Sequence, residues 1–138
     1  MATGDYLFYQ KQYRDRSTQL SILAATDDQA SFIAARSAAH QIFIQKINIS
    51  ITTYSAKTWT FKDTHATPVI VATLGIPAAL ATTLGDNGTT TYDFGPTGFG
   101  LSVGKDFSLD VSAAGAAGLI TVMAYERLIT PVAVATTN

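Results

Sequence analysis

The sequence predicts an all-β protein, a single-domain β-sandwich or jelly roll with an extended N-terminal arm. Apolar and polar residues alternate with a period of two, the pattern of half-buried strands. Turn signals separate these segments at short, regular intervals, as in sandwiches and barrels. At 138 residues the chain fits one domain with its own core. We assign residues 1–16 to the arm, 17–130 to the sandwich and 131–138 to a C-terminal tail.

The arm has no clean periodicity but is rich in aromatic and basic side chains. Such residues are enriched at protein–protein interfaces, where they bury a large area at low entropic cost. Base stacking on a nucleic acid is the alternative, but the rest of the chain offers no basic groove to follow a backbone. We therefore predict a subunit or docking contact formed by Tyr6, Phe8, Tyr9, Tyr13, Arg14 and Arg16.

The next two segments, TQLSILA and ASFIAAR, are predicted strands separated by residues 26–28. The alternative is a short helix over DDQASFIAARSAAH, since Asp28 is a suitable N-cap and alanine is the best helix former. We favour the two strands.

The clearest strand is IFIQKINISITT, which places Ile47, Ile49 and Ile51 on one face and polar residues on the other. TWTFK repeats the pattern with Trp59 and Phe61 on its apolar face. Only a short loop separates the two segments, so we expect them to pair as a hairpin.

Turn signals divide the second half of the chain into further strands. TPVIVATL is a short apolar run that ends at GIPAAL, where a proline cannot donate a ladder hydrogen bond. GDNG predicts a hairpin tip before the strand TTTYDF. FSLDV, the small-residue turn AAGAAG and LITVMAY predict another hairpin. The tail TPVAVATTN either adds an edge strand to a neighbouring subunit or stays unpaired.

Charge and composition narrow the function classes. Nine Lys and Arg against ten Asp and Glu give a formal charge of −1, which favours neither a nucleic acid nor a membrane as partner. Charged residues make up 14%, below the roughly 25% of soluble domains, so we expect part of the surface to be covered in the working state. The absence of cysteine excludes disulfides and thiolate sites. No secretory signal or spanning segment is recognisable, which predicts a cytosolic product.

Few residues offer chemistry. Asp63 and His65 lie two positions apart beyond a strand and form either a catalytic or metal-binding pair or a solvated turn, which we favour. For His40, at the start of the isoleucine strand, we expect a packed or hydrogen-bonded role. No serine lies in a GxSxG elbow.

Two loop motifs are weak candidates for ligand binding. Asp27, Asp28 and the turn Asp86-Asn87-Gly88 lack the further ligands of a calcium loop. GPTGFG is similar to a phosphate-cradling loop, but no Lys-Ser or Lys-Thr follows and Pro96 interrupts it. We therefore predict a non-enzymatic protein without catalytic residues, cofactor or metal.

Three stretches, AARSAAHQIFIQKINISITT, TWTFKD and DFGPTGFGLSVGKDFSLDVSAAGAAGLITVMAYERL, resemble the small all-β head decoration, or cement, proteins of tailed bacteriophages. The resemblance covers roughly residues 34–128. It implies a jelly-roll or sandwich subunit, commonly a homotrimer, on the outer capsid surface where major capsid protein subunits meet. No catalytic residues come with this family.

The resemblance predicts a virion protein, made in the host cytoplasm, that stabilises contacts between major capsid protein subunits. An alternative is a tail or fibre domain that recognises a host-surface glycan, with Trp59, Tyr54 or Tyr92 stacking on a sugar. A third hypothesis is a hydrolase that uses Asp63 and His65.

Overall fold

The computed structural model describes residues 13–15, 18–22, 29–79 and 88–129, with side chains for 31–79 and 88–129. Within these ranges the regular structure is entirely β, which confirms the predicted fold class. The strands are β1 (Tyr13–Asp15), β2 (Thr18–Ile22), β3 (Gln29–Ile33), β4 (His40–Thr53), β5 (Lys57–Asp63), β6 (Ile70–Ile76), β7 (Thr89–Asp93), β8 (Phe99–Gly100), β9 (Phe107–Val111) and β10 (Ala117–Leu128).

The described strands form two antiparallel sheets. In the six-stranded sheet, β4 and β10 pair along their length at the centre, β7 and β8 flank β4, and β1 and β2 flank β10. The four-stranded sheet has the order β3-β9-β5-β6. Apolar side chains from both sheets form one core. Trp59 and Phe61 in β5 are fully buried there, and each such burial stabilises the fold by about 2–3 kcal/mol.

A β-bulge in β4 lets isoleucines from both halves of the strand point into this core. Lys46 pairs with Met123 and Ile44 with Ala124, so Gln45 is the extra residue. The bulge reverses the alternation, because an inserted residue moves all following side chains to the other face. As a result Ile42 and Ile44 before the bulge are fully buried, as are Ile47 and Ile49 after it. The sequence pattern had indicated only the second set.

The sequence-based predictions that β4 and β5, β6 and β7, and β9 and β10 form hairpins are wrong. The strands β4 and β5 lie in different sheets, and so do β6 and β7, and β9 and β10. The chain crosses between the sheets at each of these connections. The strand β5 instead pairs with β6, from Lys57 with Ile76 to Lys62 with Ile70. Turn residues indicate where a chain reverses, but they do not decide which sheet receives the next strand.

The N-terminal segments are strands where the structure describes them. The strand prediction for ASFIAAR is confirmed over β3, which pairs with β9, and the helix alternative is wrong there. The strand β1 comes from the last part of the predicted arm and pairs with β10, Tyr13 opposite Arg127 and Arg14 opposite Glu126. Tyr6, Phe8, Tyr9, Arg16 and the tail 131–138 lie outside the described residues.

Candidate functional site

Asp63, at the end of β5, is a fully buried carboxylate that holds two connections together. Its Oδ1 accepts hydrogen bonds from the backbone N–H groups of His65 (3.1 Å) and Val69 (3.0 Å). Its Oδ2 accepts one from the backbone N–H of Ser102 at 2.8 Å. Burial alone raises the pKa of Asp63, but the hydrogen bonds from Ser102, Val69 and His65 outweigh it and lower the pKa below the ordinary value.

The predicted turn at Asp63 and His65 is therefore closed by a buried carboxylate, and the expectation that its acid is solvated is wrong. Asp63 bonds to the backbone of His65, while the exposed imidazole lies beside Thr67. The Nδ1 atom of His65 is 2.9 Å from the Thr67 nitrogen, which donates to it, and 3.1 Å from the Thr67 carbonyl oxygen. The geometry lets Asp63 position the loop rather than the histidine ring.

A second carboxylate, Asp106, was not singled out from the sequence. Its Oδ1 accepts the backbone N–H of Ala35 and its Oδ2 accepts the hydroxyl of Ser31, both at 2.8 Å. The backbone N–H of Asp106 in turn donates to Thr64 Oγ1 at 3.0 Å. These bonds join the start of β9 to the β3–β4 and β5–β6 connections. No local pattern distinguishes Asp106 from an ordinary loop residue.

A third carboxylate, Glu126 in β10, is also fully buried. Its Oε2 accepts the backbone N–H of Arg36 at 2.8 Å, and its Oε1 lies 3.8 Å from Arg36 Nε. A sequence signal did exist, since Glu126 continues the period-two series of buried residues Ile120, Val122 and Ala124. A charged residue in the buried phase of a strand needs hydrogen-bond partners, and this one finds them in the β3–β4 connection.

Asp63, Asp106 and Glu126, which we call the carboxylate clamp, fix three connections at one end of the sandwich. These are residues 34–39, 64–69 and 101–106. Each carboxylate accepts backbone N–H groups, which are otherwise left without partners where strands end. The clamp therefore fixes the conformation of these three connections.

A backbone hydrogen bond between Gly104 and His40 joins one of the clamped connections to the start of β4. The Gly104 N–H donates to the His40 carbonyl at 2.6 Å. Its φ is +77°, and a Cβ at this position would lie 2.7 Å from the Ala38 carbonyl oxygen. The Nδ1 atom of His40 is 2.7 Å from Ser37 Oγ, in agreement with the expected hydrogen-bonded histidine.

The GPTGFG motif forms the turn between β7 and β8. Gly95 and Gly98 both have φ of +79°, and the Gly95 N–H donates to Asp93 Oδ1 at 2.9 Å. A Cβ on Gly98 would lie 3.1 Å from the Phe43 Cβ, so this glycine permits close packing on β4. The glycines serve the turn. Asp27, Asp28, Asp86 and Asn87 lie outside the described residues.

The aromatic residues proposed for sugar stacking do not form a platform on the surface. Trp59 is fully buried, so the expectation that it stacks on a sugar is wrong. Tyr54 and Tyr92 are half-buried and pack against the core. The Tyr92 hydroxyl donates to the Thr73 carbonyl oxygen at 3.1 Å, which links β7 to β6 across the two sheets. Burial raises the pKa of Tyr92.

The outer face of the six-stranded sheet carries apolar side chains on its two central strands, β4 and β10. Leu119 and Met123 on β10 are 36% and 46% exposed, in the phase opposite to the buried residues of that strand. Phe43 on β4 and Tyr125 on β10 stack beside them, with ring centroids 4.9 Å apart and planes 8° apart. We call Phe43, Leu119, Met123 and Tyr125 the apolar stripe. The segment LITVMAY indicated this surface in the sequence, because it has apolar residues in both the inward and the outward phase of the strand.

The outer face of the four-stranded sheet is more polar. Thr60 and Thr73 lie there opposite each other. Lys62 Nζ forms a 3.0 Å ion pair with Asp110 Oδ2. A shallow depression of about 290 Å³ lies beside this pair and includes Thr64 and His65.

Among the described residues, no helix is long and apolar enough to cross a membrane. Nor do three or more His, Cys, Asp or Glu side chains gather there in a way that would hold a metal ion.

The sequence matches no protein-family model and no curated protein. The fold is similar to that of a chain in the acidic stable capsid structure of Helicobacter pylori bacteriophage KHP30. The TM-score is 0.50 at 11% identity, over 83% of this chain and 87% of that chain. Bacillus endospore appendages, which form disulfide-linked pili, give a TM-score of 0.46 at 12% identity over 86% and 90% of the two chains. The chain thus shares its all-β fold with a chain of a bacteriophage capsid structure.

Proposed function

We propose that this protein is a non-enzymatic structural component of a bacteriophage virion. The observation that carries the proposal is the fold similarity to a chain of a phage capsid structure. The carboxylate clamp is consistent with a structural role. Buried carboxylates are costly unless they are hydrogen-bonded, and here Asp63 and Glu126 bind backbone N–H groups of connecting loops.

In its specific form, the proposal is a head decoration, or cement, protein. It would bind as a homotrimer to the outer capsid surface and stabilise contacts between major capsid protein subunits. Anything that binds only the assembled shell raises its stability, and many weak contacts on a lattice add up to a strong one. The resemblance of residues 34–128 to decoration proteins and the low charge of 14% support this form.

The test uses capsids of the encoding phage that lack this protein. Purified protein is added at increasing concentration, and binding is followed by cosedimentation and by the temperature at which the shell is disrupted. We expect saturable binding and a higher disruption temperature. Cryo-electron microscopy of the decorated shell then locates the added density. Absence of cosedimentation at saturating concentration would overturn the decoration role.

The alternatives have distinct outcomes. Saturable signals on a glycan array, without capsid binding, would favour a tail or fibre domain. A hydrolytic activity lost in His65→Ala but kept in His40→Ala would overturn the non-enzymatic assignment. We expect neither result.

A further inference from the structure

We propose that the outer face of the six-stranded sheet is the surface through which this protein binds a second copy of itself. The inference deepens the proposed function and rests on its homotrimer, to which it assigns a contact surface.

The first argument is the apolar stripe. On a half-solvated antiparallel sheet the outward phase is normally polar. Here β10 presents Leu119 and Met123, both more than a third exposed, and the stacked pair of Phe43 and Tyr125 continues the stripe along the sheet. On the outer face of the other sheet, Ile70 is 49% exposed and stands as a single such residue among those described. The grouping of Leu119 and Met123 with the stacked aromatic pair indicates that the face with the stripe is covered in the working state.

The second argument is area. The pairing of β10 with β4 runs over twelve positions, from Ala117 to Leu128. The six strands of this sheet comprise 41 residues. At about 3.4 Å per residue and about 4.8 Å between strands, they span roughly 670 Å². Standard protein interfaces bury about 600–1,000 Å² on each partner, so the face reaches the lower end of that range.

The third argument is charge. Lys46 and Asp93 border the stripe, 3.9 Å apart and with side chains 38% and 61% exposed. Their neighbours Asn48 and Thr91 are neutral and hydrogen-bonded to each other at 2.8 Å. A second copy brings both signs of charge and therefore meets this part of the face without net repulsion.

Small-ligand sites are concave. Two depressions lined by described residues lie away from this face, beside Lys62 and Asp110 and beside Tyr54 and Leu74. The stripe presents its apolar side chains on the outer face of a sheet, which fits a protein surface as the occupant.

The test compares the full chain with Met123→Glu and with the matched control Thr73→Glu, which places the same charge on an exposed position of the other sheet. Molar mass is measured by light scattering during size-exclusion chromatography, from about 1 to about 100 µM. We expect an oligomer for the natural chain and for Thr73→Glu. Met123→Glu should raise the dissociation constant about 100-fold or more, because it buries an unpaired carboxylate in the contact.

A second measurement uses the absence of cysteine from the sequence. The single thiols of Met123→Cys and Thr73→Cys are labelled with a maleimide. We expect the first to react at least about tenfold more slowly than the second in the oligomer, and equally fast after dilution to monomer. This readout also covers the case in which Met123→Glu fails to fold.

A natural chain that is monomeric at about 100 µM would overturn the inference. It would also be overturned if Met123→Glu still forms the oligomer and the thiol of oligomeric Met123→Cys is labelled as fast as that of Thr73→Cys. A monomer whose Met123→Cys thiol is protected would assign the face to another segment of the same chain and equally overturn it. Capsid binding by a monomeric natural chain would sustain the virion role while this inference fails. Self-association through this face without capsid binding would do the reverse.

Discussion

The Oδ2 atom of Asp63 accepts a 2.8 Å hydrogen bond from the backbone N–H of Ser102, 39 residues further along the chain. This bond joins the end of β5 in one sheet to the segment that follows β8 in the other. It shows how the sandwich is closed at the end where the carboxylate clamp lies. The stability of the protein is therefore expected to depend on these carboxylates more than on its exposed ion pairs.

Replacing Asp63 tests the clamp directly. Asp63→Asn keeps the volume but removes the charge and turns one acceptor into a donor that faces an N–H group. We expect a loss of about 2–3 kcal/mol in the free energy of unfolding, measured in urea. The control is Asp93→Asn, whose exposed ion pair with Lys46 is worth less than about 1 kcal/mol and whose oxygen can still accept the Gly95 N–H. Equal losses in the two variants would contradict a role for the clamp.

Acid should weaken the fold through Asp63. Its pKa in the folded state lies below the ordinary value of 3.8. The unfolded chain therefore binds this proton at higher pH than the folded protein does, so the contribution is present above about pH 4 and is lost as the pH falls through the folded pKa. Urea titrations between pH 3 and pH 6 should show this slope, and Asp63→Asn should reduce it. An unchanged slope in the variant would assign acid sensitivity to other groups.

Gly104 is expected to tolerate no side chain. Gly104→Ala would place a Cβ 2.7 Å from the Ala38 carbonyl oxygen at a φ of +77°. We expect a cost of about 2 kcal/mol or more in thermal or urea unfolding. Gly75→Ala is the matched control in β6, since a Cβ there meets no atom within 4 Å. Its stability should change by less than about 0.5 kcal/mol.

Variants of Glu126 and Arg36 can distinguish the contribution of a hydrogen bond to stability from that of an ion pair. The buried Glu126 carboxylate accepts the Arg36 backbone N–H, whereas the guanidinium lies 3.8 Å away on a side chain that is 42% exposed. Arg36→Ala preserves the backbone donor and should cost less than about 1 kcal/mol. Glu126→Gln changes a buried acceptor and should cost about 1–3 kcal/mol. A larger loss in Arg36→Ala would show that the ion pair dominates.

Much of the candidate site was not predictable from neighbouring residues. The motif of Asp63 and His65 indicated a turn, but Ser102 and Val69, which complete the hydrogen bonding of Asp63, lie in separate segments. Glu126 was predictable in principle from its phase in β10, whereas Asp106 acquires its role only from Ala35 and Ser31 across the fold. Hydrogen bonds between residues this far apart in the sequence produce no recognisable pattern in the neighbouring residues.

The amino-acid sequence by itself determined the all-β class and, in β5 and the second half of β4, which side chains face the core. Alternation with a period of two is sufficient for that, because a strand places successive side chains on opposite faces, as Trp59 and Phe61 do in β5. Only the tertiary structure decided which strands pair. The pairing of β10 with β4 depends on contacts between residues 64 to 88 positions apart, and the same turn residues serve a hairpin or a crossing between sheets. The bulge at Gln45, the carboxylate clamp and the apolar stripe follow from that arrangement.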